Sequence, residues 1–159
     1  MGRTARDRIP AELNVMLSSW TANVNFLPIA RRMRPDERDM TPARETAIMV
    51  LLEARRLLIE RGWTRFAMAR DSDGAACELN SEAARQFDLA GALVKAAGAI
   101  DPEGKEFYFS FFRQSFAEAL QRTRQCTDTY TRWNDHAARS SEDVVQLIEA
   151  VIEAIRASL

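Results

Sequence analysis

The stretch from Thr41 to Gly62 most constrains what this chain can become. Ala47, Val50, Leu51, Ala54, Leu57 and Leu58 recur at spacings of three and four, while Glu53, Arg55, Arg56 and Glu60 fall elsewhere on the turn. Thr41 offers an N-cap oxygen, Pro42 takes the first helical position where a missing N–H costs nothing, and Glu45 lies near the positive end. Gly62 supplies the left-handed residue that ends such a helix. A helix from Pro42 to Arg61 is about 30 Å long. Its apolar stripe has to be covered by other elements, and those that follow read mainly as helices.

Trp63–Arg70 alternates loosely and predicts a short extended piece, followed by the turn Asp71-Ser72-Asp73-Gly74 and a loop to Asn80. Asn80 or Ser81 then caps a second helix to about Ala97, with Ala84, Phe87, Gly91, Val94 and Lys95 on one face and Gly98 as its stop. Gly91 would let another backbone come close to that helix. Asp101-Pro102-Glu103 opens a third helix, whose Phe107, Tyr108, Phe109, Phe111, Phe112 and Phe116 are too many for one stripe. After a polar, irregular stretch from Thr127 to Arg139, Ser140 and Asp143 form an acidic variant of the capping box. The last helix carries Val144, Val145, Ile148, Val151, Ile152, Ile155 and Leu159 on one face.

The fold class expected is therefore all-α: a compact bundle of about four principal helices, with at most one short strand. Residues 1–40 read as an N-terminal docking arm and 41–159 as the helical domain. Within the arm Leu13, Met16, Leu17 and Trp20 share a face, which gives a short helix there.

At 159 residues, 47% hydrophobic and 28% charged, the chain has the profile of a single soluble domain with a sizeable core. Every apolar run is broken by charges before the roughly 18 residues a membrane span needs, and the first residues do not read as a secretory signal. Cys77 and Cys126 lie far apart, as reduced thiols do, so a cytoplasmic location is expected. The formal net charge of -1 advertises no polyanion partner, although the chain is divided internally. Residues 1–70 hold 13 Arg and 8 acids, whereas 71–159 hold 9 basic and 15 acidic residues.

Cofactor chemistry finds little purchase. Asp71-x-Asp73-Gly74 resembles the opening of a calcium loop, with Glu82 at the twelfth position. The sixth position, where that loop requires glycine, is Ala76, and the fifth, Ala75, has no ligand oxygen. One histidine and two distant cysteines offer no zinc pair, and no Gly-rich phosphate loop occurs. No cofactor or metal is expected. His136 beside Asp135 is the one imidazole, but spacing names no Ser or Cys partner, so no catalytic residue is assigned and enzyme activity stays open. Arg31, Arg32 and Arg34, with Arg38 nearby, are the nucleic-acid candidates. Asp36, Glu37 and Asp39 follow at once and weaken their pull on phosphate.

Gly62-Trp63-Thr64, Ala69-Arg70-Asp71-Ser72-Asp73-Gly74, Ala90-Gly91-Ala92-Leu93 and Trp133-Asn134-Asp135, with Arg139 to Val144 after them, occur in the order of a known pattern. Over roughly residues 45–157 the chain resembles an uncharacterised bacterial and phage domain family. That family has a Gly-Trp-Thr turn, an Ala-Arg-Asp-x-x-Gly loop, a Leu-Gly-Ala-Leu helix and Trp-Asn-Asp before a final helix. This chain departs from it at Asp88, where relatives tend to carry Cys, and at Ala90, where they carry Leu. The resemblance implies a domain and not an activity.

Two readings of the motif residues stand side by side. In one, Trp63 and Trp133 anchor two loops on the helices, and Arg70 pairs with Asp71, Asp73 or Asp135. In the other, Arg70, Asp71, Asp73, Asn134, Asp135 and His136 line one polar ligand pocket. The functional expectation is a non-enzymatic cytosolic accessory or regulatory protein acting through protein–protein contacts. Its expected partner is a second copy, a homodimer joined through Phe107, Tyr108, Phe111, Phe112 and Phe116 or through the last helix. The alternatives are a small-ligand binder or enzyme using the polar pocket, and a weak nucleic-acid binder using the arginines of the arm.

Overall fold

The computed structural model describes residues 41–123 and 129–159. The expected arm, its short helix, Arg31, Arg32, Arg34 and Cys126 lie outside the described residues. Five helices and a minimal two-stranded ribbon make up the rest: α1 (Thr41–Arg61), β1 (Ala69–Arg70), β2 (Gln86–Phe87), α2 (Leu89–Ile100), α3 (Lys105–Arg122), α4 (Tyr130–Asn134) and α5 (Ser141–Arg156). The expected all-α bundle is what forms, with α1, α2, α3 and α5 as its principal helices.

α1 buries the stripe its sequence marks, Ala47, Val50, Leu51, Ala54, Leu57 and Leu58. Gly62 follows at φ 110°, a backbone state that an L side chain resists. α1 packs on α2 and α5, and α5 in turn packs on α3. α5 opens with the full capping box: Ser140 Oγ accepts from the Asp143 N–H at 3.2 Å while the Asp143 carboxylate accepts from the Ser140 N–H at 2.8 Å. Its Val144, Leu147, Ile148, Val151, Ile152 and Ile155 are buried, whereas Leu159 is exposed.

The second helix starts later than its sequence suggests. Residues 81–84 form a turn, Ala84 N–H donating to Ser81 O at 3.1 Å, and Gln86–Phe87 become β2. β2 pairs antiparallel with β1, Ala69 opposite Phe87, so the ribbon has two short strands rather than one. Phe87 is held from its other side too: its N–H donates to Gly62 O and its carbonyl accepts from the Thr64 N–H, both at 3.0 Å. Asp88 is then the true N-cap, accepting from the Gly91 N–H at 2.6 Å. Gly98 does not end the helix, which runs on to Ile100.

Gly91 permits a close approach, as its sequence context implies. A Cβ there would lie 2.0 Å from the carbonyl oxygen of Met68, so only glycine lets the chain leading into β1 cross the first turn of α2. α3 begins at Lys105 after Gly104, with Asp101 tying the turn: it accepts from the Gly104 N–H at 3.1 Å and from the Tyr108 hydroxyl at 2.9 Å.

The aromatic run divides into two ladders. Along the buried side Tyr108 stacks on Phe112, Phe112 meets Phe116 edge to face and Phe116 meets Tyr130 of α4, while Phe107 and Phe111 stack along the flank at 5.8 Å. Each fully buried Phe contributes about 2–3 kcal/mol. Among the described residues no helix is long and apolar enough to cross a membrane.

Candidate functional site

The two motif loops meet. Asn134, at the end of α4, is 1% exposed, and its side-chain oxygen accepts from the Trp63 indole N–H at 2.7 Å and from the Leu89 N–H at 3.2 Å. Its amide nitrogen donates to Asp135 Oδ1 at 2.9 Å and to Thr64 O at 3.4 Å. One buried side chain thus joins the Gly-Trp-Thr turn, the start of α2 and the Trp-Asn-Asp turn. A buried amide with this many partners is a structural node, since losing it would strand several polar groups.

Asp135 Oδ1 also accepts from the Phe66 N–H at 2.9 Å. Phe66 sits at φ 63°, unusual for a bulky side chain, and its ring is 72% exposed. Arg65 lies over the Trp63 ring at 5.3 Å and donates to Ala137 O at 3.1 Å. His136 is exposed; its Nδ1 accepts from the Ala138 N–H at 3.2 Å. Arg139 lies 4.6 Å over the Trp133 ring.

Arg70 is spent differently from the expected pairing with an aspartate. Its donors go to Thr64 Oγ1 at 3.0 Å, Gly74 O at 2.8 Å and Arg65 O at 3.1 Å, so it staples the loop through oxygens of the loop itself. Asp71 Oδ1 accepts from the N–H groups of Asp73 and Ala75, which closes the turn, and Asp73 is exposed. The structure therefore brings Asn134 and Asp135 against residues 64–66, and holds Arg70, Asp71 and Asp73 in their own turn. The shared element is the Thr64–Phe66 segment, not a direct Arg70–Asp135 pair.

Burial raises four groups, Asp88, Tyr130, Cys77 and Tyr108, the last with its hydrogen bond to Asp101 adding. Asp88 is pushed up to about 7 by desolvation, with the Asp135 charge adding and the N–H groups of Gly91 and Ala90 opposing. Tyr130 is raised to about 12, again chiefly by burial and then by the Asp88 charge. The Cys77 thiol is raised by burial and by Asp71, which makes it a poorer nucleophile than a free thiol. Among the described residues no group of three or more His, Cys, Asp or Glu is placed to hold a metal ion.

Of the five aromatics expected at an interface, Tyr108, Phe112 and Phe116 are core residues at 3% exposure or less, and they have no surface to give a partner. Phe111 is half-buried and Phe107 is 38% exposed. The larger apolar surface lies on α1, where Met49, Leu52 and Ile59 are 55%, 43% and 55% exposed. Beside them a groove of about 310 Å³ runs between α1 and α5, lined by Leu52, Arg55, Glu149, Ile152, Glu153 and Arg156. A second hollow of about 320 Å³ is lined by Asn80, Val94, Lys95, Gly98 and Ala99. In the sequence the buried stripe of α1 masks this outer surface, because it already accounts for the apolar spacing of the helix. The signal was present in the spacing of Met49, Leu52 and Ile59.

The family described as "Family of unknown function (DUF6197)" matches residues 42–154. The chain belongs to this family. No curated protein and no solved structure matches it. The DUF6197 match spans α1 through most of α5 and includes both motif loops and the Asn134 node.

Proposed function

We propose that this DUF6197 protein is a non-enzymatic, cytosolic accessory or regulatory protein that works through protein–protein contacts. The observation that carries the reading is the second apolar face of α1. A helix apolar on one stripe is a surface helix, whereas one apolar on two opposite stripes belongs in an interior. Ala47, Val50, Leu51, Ala54, Leu57 and Leu58 are buried in the domain, and Met49, Leu52 and Ile59 stand on the opposite side with nothing described over them. Exposed apolar patches rimmed by charge are where proteins meet proteins. The polar motif groups support a ligand pocket less well, because Arg70, Asp71, Asn134 and Asp135 already spend hydrogen-bonding capacity on the fold.

Photo-cross-linking in cells tests this. With benzoylphenylalanine in place of Met49 or Ile59, a protein-sized adduct is expected, and with the same group in place of the exposed Asp73 none is. Absence of adducts from both α1 positions would overturn the reading.

A further inference from the structure

Met49, Leu52, Arg56 and Ile59 are spaced three, four and three apart along the outer side of α1, the heptad spacing of a seam between two helices. The charged member of this seam is already neutralised within its own helix. The Arg56 guanidinium donates to both Glu53 oxygens, at 2.8 and 2.6 Å, and to Glu60 one turn on. Arg56 can therefore be covered without burying an unpaired charge, which is what makes most buried arginines costly.

The rim carries both signs in near balance. Arg55 pairs with Glu149 of α5 at 2.8 Å and Arg156 with Glu153 at 2.8 Å. Three arginines thus face four glutamates around the stripe and the groove beside it. Such a rim selects neither an acidic nor a basic partner, whereas under a two-fold axis each sign can meet its opposite on an identical surface. The groove floor of Leu52 and Ile152 offers room of about 310 Å³ for a side chain from the facing stripe.

We infer that this face is covered by a second copy of the same chain, so that α1 and the α1/α5 groove form a two-fold homodimer interface. The inference rests on the interaction reading above and names its partner. Phe107, on α3, is not part of this interface.

Light scattering of the full chain over a wide concentration range is the test. Twice the chain mass is expected. Leu52→Glu and Ile59→Glu, at exposed positions, should keep the helical circular dichroism and thermal midpoint while weakening the dimer at least about tenfold. Phe107→Glu should leave the dimer intact. A wild-type monomer at every concentration, a Leu52→Glu dimer as tight as wild type, or a monomeric Phe107→Glu protein would each overturn the inference. A monomer that still cross-links from Met49 to a different protein would remove self-association and keep the interaction reading. A monomer with no cross-link, or one whose cross-link stays within a single chain, would remove both.

Discussion

Asp88 should make the domain less stable as the pH rises from 3.8 to about 7, which reverses the usual behaviour of a native carboxylate. Two effects compete at this N-cap. The N–H groups of Gly91 and Ala90 favour the charged form, while burial at 9% exposure and the nearby Asp135 charge disfavour it. Burial wins, and the folded value rises from the ordinary 3.8 to about 7. Below 3.8 both folded and unfolded chains hold the proton, and the full stability is present. Between 3.8 and about 7 the native state binds the proton and the unfolded chain does not, so each pH unit removes about 1.4 kcal/mol. The loss is complete above about 7 and amounts to about 4 kcal/mol, a large share of the roughly 5–15 kcal/mol that holds a domain together.

Asp88→Asn keeps an acceptor oxygen at the cap and removes the titration. Urea unfolding followed by far-UV circular dichroism should show the two proteins converging toward acid, with Asp88→Asn ahead by about 2–4 kcal/mol near pH 8. Glu53 and Asp143 do not blur the comparison. Arg56 and Ser140 respectively hold their carboxyls below the ordinary range, so their stabilisation is lost only in acid. If wild-type stability is flat or rises from pH ~5 to ~8, or if Asp88→Asn is the weaker protein near pH 8, the cap bonds outweigh burial and the reasoning is refuted.

Gly91→Ala should cost at least about 3 kcal/mol, because its Cβ would fall 2.0 Å from a backbone carbonyl that cannot rotate away; a thermal midpoint within a few degrees of wild type would show that β1 is free to shift. Phe66→Asn should stabilise the domain by about 0.5–1 kcal/mol, since Asn tolerates the left-handed region and the Phe ring is 72% exposed; unfolding curves that show a loss would mean the ring packs in solution.

Much of the fold was legible because local chemistry and tertiary use agree. The α1 stripe, the Ser140–Asp143 capping box and the close approach at Gly91 each follow from residues a few positions apart. The start of α2 was not legible, because Ala84 and Phe87 continue the helical spacing while their backbone serves another purpose. Phe87 pairs with Gly62, Thr64 and Ala69, partners that lie 18 to 25 residues earlier and leave no local trace. The left-handed Phe66 was hidden for a similar reason, as its conformation is held by Asp135, 69 residues away. Of the candidate site, the meeting of the two loops was anticipated and its wiring was not: Asn134 is the node, and Arg70 turns inward to its own loop.

The claim that the motif loops are framework is tested most directly by the unfolding free energy of Asn134→Ala, measured beside Asp73→Ala. Removing Asn134 strands the Trp63 indole N–H and the Leu89 N–H at the base of α2, so a loss of about 2–5 kcal/mol is expected, with faster exchange of the Trp63 indole proton. Asp73→Ala, on the exposed turn, should stay within about 0.5 kcal/mol of wild type. An Asn134→Ala protein as stable as wild type would contradict the account and free that amide for a ligand.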